Sequence, residues 1–181
     1  MNIKKLLLLL LFVFNLTSLY YLLIPLPNLP DLPQSQKSDE PGDTTQISHV
    51  TAYYTYLTRP QVINFYLANY QGPLRLRLNH PPEKAREIIR STIQSYYFEE
   101  IHLPLKESLY INGYEWQNDV FTRPDKRIKN KLLFRDIEYP SKITLRRFPV
   151  PLWQSISILF FSELIIALVI FCLYKAFKTH D

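Results

Sequence analysis

Glu163 is the residue with the most telling placement, a lone carboxylate at the midpoint of the apolar run Leu152 to Tyr174, LWQSISILFFSELIIALVIFCLY. An ionised carboxylate facing lipid at that depth is costly, so Glu163 is expected to be neutral, paired, or turned toward another helix or water. Asn15 holds the middle of a second apolar run, Leu6 to Ile24. Antiparallel packing would bring the two polar groups to one depth, where a neutral Glu163 can donate a hydrogen bond to the Asn15 carbonyl. Ser162, and Ser155 one heptad earlier, would extend that contact. Intramembrane polar contacts average roughly 0.6 kcal/mol and reach about 1.7, enough to orient helices. The chemistry expected here is helix association, within the chain or with a partner. A single acid on two helices is a poor basis for a proton relay.

The remaining chemical groups are scattered. His49, His80 and His102 lack the short two-ligand spacings of zinc sites, and nothing in the spacing joins His80 and His102 with Glu99 and Glu100 into a ligand set. Glu99 and Glu100 point to opposite faces of an extended segment and read as surface strand residues. There is no G-x-S-x-G elbow, and the single cysteine, Cys172, lies inside the second apolar run. Only three glycines occur, Gly42, Gly72 and Gly113, which excludes glycine-rich phosphate loops. The expectation is a non-enzymatic protein without cofactor or metal. The densest basic run, Arg123, Lys126, Arg127, Lys129, Lys131 and Arg135, offers an anionic polymer or lipid headgroups a surface, although such runs most often only solvate a loop. The aromatic residues Tyr53, Tyr54, Tyr56, Tyr96, Tyr97, Phe98, Tyr110 and Tyr114 suit strands and a core, and any that face outward suit recognition.

The elements that must position these residues begin with the two apolar runs. Each has the length of about 20 residues needed to cross a hydrocarbon core of about 30 Å. Lys4 and Lys5 are expected to hold the amino terminus in the cytoplasm, with Tyr20, Tyr21, Trp153 and Tyr174 as interfacial anchors. A cleaved signal peptide would have a shorter apolar region followed by small residues; bulky Tyr20 to Ile24 stand there instead, so an uncleaved anchor is expected. The intervening stretch, 25–151, then lies on one side of the membrane, with 17 Lys and Arg against 14 Asp and Glu. It has no cysteine, must be stabilised by packing, and fits a bacterial surface better than an oxidising lumen.

Within that stretch, prolines 25, 27, 30 and 33 and the polar segment 35–46 predict an extended, flexible spacer. A domain over 47–151 follows. Ile47 to Leu57 reads as a strand, Thr58 as the N-cap of a helix reaching Tyr70, and Leu74, Leu76 and Leu78 as a half-buried strand. A helix is expected over 83–94. Ile101, Leu103, Leu105, Leu109 and Ile111 share one parity and read as one or two strands interrupted near Pro104, with a turn at Asn112 and Gly113, a partner strand over 114–121, and a terminal hairpin around Tyr139, Pro140 and Ser141. The sum is an α+β domain with a mainly antiparallel sheet and about two helices, flanked by two transmembrane helices, 6–24 and 152–174, with both termini cytoplasmic. Its expected role is to bind a protein or polymer partner as a scaffold or component of an envelope complex. The alternative is a ligand-sensing domain coupled to the second helix and a partner in the membrane.

Overall fold

A computed structural model describes residues 3–41, 43, 48–80, 97–119 and 122–178. The chain divides into two compact units, one formed by Met1–Pro25 with Val150–Asp181 and the other by Leu26–Pro149.

The first unit pairs helix α1, Ile3–Leu23, with the carboxy-terminal helix α3, Leu152–Lys178. Among the described residues one helix is long and apolar enough to cross a membrane, over Leu152–Cys172. The apolar run of α1 is shorter, Leu8–Leu23. At 1.5 Å per residue it spans roughly 24 Å, short of a hydrocarbon core of about 30 Å. Polar Asn15, Thr17 and Ser18 interrupt it, and the Thr17 hydroxyl turns back to the Val13 carbonyl at 2.9 Å. Large apolar side chains such as Leu10, Phe12, Phe161, Ile165 and Phe171 stand exposed on both helices.

The second unit is a mixed α/β domain with a mainly antiparallel sheet. Its strands are β1 (Ser35–Lys37), β2 (Val50–Thr55), β3 (Leu76–His80), β4 (Tyr97–Leu103), β5 (Glu107–Glu115) and β8 (Ser141–Pro149), in the order β1-β2-β8-β5-β4-β3. Strands β6 (Leu132–Phe134) and β7 (Ile137–Tyr139) form a separate ribbon. Helix α2, Arg59–Asn69, begins where Thr58 and Pro60 place it: the Thr58 amide donates to Gln61 Oε1 at 2.9 Å, closing a capping box. Val62, Ile63 and Tyr66 on α2 pack with Ile101, Leu103, Leu109, Ile111, Ile143 and Leu145 into the main core. The hydroxyl oxygen of Tyr66 is buried in that core with no hydrogen-bond partner among the described residues. A buried, unmade hydrogen bond costs about 1–3 kcal/mol, so Tyr66→Phe is expected to raise the thermal midpoint, or at least not lower it. A clear fall would mean that the hydroxyl has a partner in solution.

Several expectations change. The helix expected over 83–94 lies outside the described residues. Proline-rich 25–33 and polar 35–43 are no free spacer: Leu32 is buried, Leu26 and Leu29 pack against the core, and β1 pairs with β2. Their short side chains and carboxylates find partners on the domain, which composition alone does not show. The turn expected at Asn112 and Gly113 is a continuous strand. The chain reverses at the interruption expected near Pro104, over Pro104 to Lys106, with Leu105 at φ 59°, and 107–115 is the partner of β4. Gly113 sits inside β5 because the Tyr97 ring of the facing strand lies over it, where any Cβ would overlap the ring. The terminal hairpin around Pro140 is likewise displaced. The reversal lies at Arg135 and Asp136, both with positive φ, and β8 runs on from Ser141 between β2 and β5. Leu74, Leu76 and Leu78 belong to an edge region and are exposed rather than half-buried.

Candidate functional site

Two places collect groups capable of recognition, one in each unit. In the helical unit, Asn15 and Glu163 line the same groove of about 350 Å³, with Phe12, Leu16, Leu19, Leu22, Ile156, Leu159 and Phe160. The helices thus bring together the two polar residues at the centres of the apolar runs. The expected hydrogen bond between them is not made. Asn15 Nδ2 donates to the Leu11 carbonyl of its own helix at 3.0 Å, and Glu163 Oε1 is buried without a hydrogen-bond partner among the described residues. Ser162 and Ser155 do not line this groove; Ser162 donates to the Leu159 carbonyl at 2.7 Å and Ser155 to the Pro151 carbonyl at 3.4 Å. In a helix a serine hydroxyl readily back-bonds to the preceding turn. Of the anchors, Tyr20 and Trp153 are exposed and Tyr21 is half-buried; the side chain of Tyr174 lies outside the description.

In the domain, the sheet face opposite α2 carries a row of half-buried aromatic and polar residues over β3, β4, β5 and the end of β8. The register places Leu78 beside Glu100 and Leu76 beside His102, then Glu100 beside Tyr110 and His102 beside Ser108, then Ser108 beside Phe148. Phe98 stacks on Tyr110 at 5.2 Å between centroids, and Tyr110 meets Phe148 edge-on at 5.4 Å. Leu76, Leu78 and Phe148 are each about half exposed. The aromatic row is bordered by a polar trio in which Ser108 Oγ donates to Glu100 Oε1 at 2.8 Å and lies 2.8 Å from His102 Nδ1. Ser108 spends its proton on Glu100, so it presents a lone pair to the imidazole. Burial, together with the nearby Glu100 carboxylate, pushes the Tyr110 phenol above its ordinary range, so it stays neutral as a hydrogen-bonding group. The face offers stacked rings, exposed leucines and fixed polar groups, the composition of a recognition surface.

The same strand geometry removes Glu99 from that face. It is fully buried, accepting from Arg59 Nη2 at 2.6 Å and Arg77 Nε at 2.9 Å, and is not the surface residue that its neighbour Glu100 resembles. Glu99, Glu100 and His102 therefore do not converge. Glu107 is similarly buried, accepting from Arg147 Nε at 2.8 Å and from the Tyr70 hydroxyl. Neither buried carboxylate stood out from its residue type. The signal was parity: Glu99 alternates in step with Ile101 and Leu103, and Glu107 with Leu109 and Ile111.

The basic run is partly spent inside the domain. Arg127 donates to the Gln117 carbonyl at 2.8 Å, Lys131 pairs with Glu138 at 2.9 Å and Arg135 with Asp39 at 2.8 Å. Lys131 also lies over the Trp116 ring and Arg135 over Phe134. Arg123, Lys126 and Lys129 remain exposed about the 3-10 turn Pro124–Asn130. A second cation, Lys142, is held between Glu40 at 3.0 Å and Asp43 at 2.8 Å. Burial pushes its ammonium down, but those carboxylates and Tyr54 push it further up, so it remains charged. No protein family, curated protein or solved structure matches the chain.

Proposed function

We propose that this chain is a non-enzymatic membrane protein anchored at both ends, by α1 and α3, whose domain lies outside the cytoplasm and binds a protein or polymer partner as a scaffold or component of an envelope complex. The observation that carries this reading is the surface of α3. Its 21-residue apolar stretch is left almost wholly uncovered, and apolar surface on that scale calls for lipid or another protein. The α1 run is short, a mismatch that local bilayer thinning accommodates at modest cost, and Lys4 and Lys5 favour a cytoplasmic amino terminus. The sheet face with the aromatic row and the exposed Leu76, Leu78 and Phe148 is the surface best suited to a partner, because half of the basic run is engaged within the domain. A sensing role is the second reading. It is favoured by the direct passage of β8, a central strand, into α3 through only Val150 and Pro151.

Tags at both ends and protease applied to sealed membranes test the architecture. Both tags are expected to be protected while the domain is cleaved from the outside only. Cleavage of either tag from outside would overturn the topology, and loss of the amino-terminal tag by processing would leave α3 as the single anchor.

A further inference from the structure

We propose that the groove between α1 and α3 receives a third transmembrane helix, from a different protein, that carries a lysine or arginine near mid-membrane and pairs it with Glu163. This rests on the double-anchor reading above and names the kind of partner it implies. The groove holds one unmet demand: Glu163 Oε1 is buried without a hydrogen-bond partner among the described residues, and a buried polar group without a hydrogen bond is costly in an apolar medium. Asn15 donates to Leu11, Thr17 to Val13, Ser157 to Trp153 and Ser162 to Leu159, each to a backbone carbonyl of its own helix. These donors are turned inward, whereas the carboxyl faces the groove.

The shape and lining suit a basic side chain. Lysine and arginine carry long aliphatic stems that bury against apolar surface while the charged head reaches an acceptor, and Leu16, Leu19, Ile156 and Leu159 provide that surface. Ionisable residues within membranes are typically paired with one another. A second copy of this chain is a poor occupant, since neither apolar run, 6–24 or 152–174, contains a lysine or arginine. A copy would bring a second carboxylate to the first, and like charges in one site oppose ionisation.

Cys172 is the only cysteine and is exposed, so a fluorophore there reports on helix association without altering the groove. Full-length labelled protein in phosphatidylcholine vesicles is titrated with a leucine-based transmembrane peptide bearing one central lysine, and with the same peptide bearing leucine instead. Energy transfer is expected to show the lysine peptide binding about tenfold more tightly, in line with the upper range of intramembrane polar contacts. Glu163→Leu should abolish that preference, and Glu163→Gln, which keeps the shape, should weaken it. Equal binding of the two peptides, or a lysine preference that survives Glu163→Leu, overturns the proposal. So does self-association of the protein that the lysine peptide fails to compete. Carbonate extraction and protease mapping of the same vesicles separate the two levels. A chain that is inserted with both ends protected but ignores the lysine overturns the groove partner alone, whereas a chain that does not span twice overturns the double anchor and this inference with it.

Discussion

Glu107→Ala is expected to lower the unfolding free energy of the domain by about 3–5 kcal/mol, the range for breaking a buried ion pair by removing one partner. Glu107 is almost inaccessible on β5 and joins three elements: it accepts from Arg147 Nε at 2.8 Å and Nη2 at 3.0 Å on β8, and from the Tyr70 hydroxyl at the end of α2. Arg147 also reaches the Pro27 carbonyl at 3.4 Å, so the same cluster ties down the proline-rich segment. Removing the carboxylate leaves a guanidinium only a quarter exposed and a buried phenol without their acceptor. Urea unfolding of the full chain in detergent, followed by tryptophan fluorescence, measures the loss. The double change Glu107→Leu with Arg147→Met should recover much of it, because an apolar pair of similar volume avoids the desolvation of both charges. A loss below about 1 kcal/mol, the value of an exposed pair, would show that the cluster is open to water.

Glu99→Gln is expected to cost about 2 kcal/mol at neutral pH, from the weakening of charge-assisted hydrogen bonds to two arginines. The cost should depend on pH. Burial pushes the Glu99 carboxyl up, but hydrogen bonds and charge from Arg77 and Arg59 outweigh it, and its folded value lies below the ordinary one. A carboxylate depressed in this way stabilises the fold fully above the unfolded value of about 4.3, and that contribution disappears as pH falls through the folded value. The gap in Tm between wild type and Glu99→Gln should therefore be constant from pH 7 to about 5 and narrow below about pH 4. A gap that stays constant down to pH 3 would show that protonation of Glu99 is not linked to folding. Arg59 is the more consequential partner: it is the more buried of the two arginines, also donates to Asn79 Oδ1 at 2.9 Å, and lies over the Tyr97 ring at 5.1 Å.

Much of the local structure was legible in the residues. The α2 start followed from Thr58, Pro60 and Gln61, since a cap needs only neighbours within one turn. The alternation over 97–111 placed Ile101, Leu103, Leu109 and Ile111 in the core, because strand periodicity is itself a statement about faces. The turns were misjudged for an equally local reason. Asn112 and Gly113 have the composition of a hairpin turn, but Gly113 serves the Tyr97 ring that packs over it. The reversals use Leu105, Arg135 and Asp136 at positive φ, and of these only Asp136 is of a type that favours it. The bond of Asn15 to its own helix was not legible, because a side-chain amide chooses between a neighbouring helix and its own carbonyls only when packing distances are set.

By itself the sequence determined one helix with the length and apolarity of a membrane span, a mixed domain with a mainly antiparallel sheet, and the position of the lone carboxylate within that apolar helix. These depend on composition, period and spacing within a few turns of chain. The tertiary structure alone decided that 26–41 belongs to the domain, that Glu99 and Glu107 are interior, and that Phe98, Tyr110 and Phe148 fall into one aromatic row. Their partners are remote: Glu99 meets Arg59 and Glu107 meets Arg147 across 40 residues each, and Glu40 meets Lys142 across 102. A charge is stabilised or stranded by what folding brings beside it in a medium of low dielectric, and no local pattern carries that information.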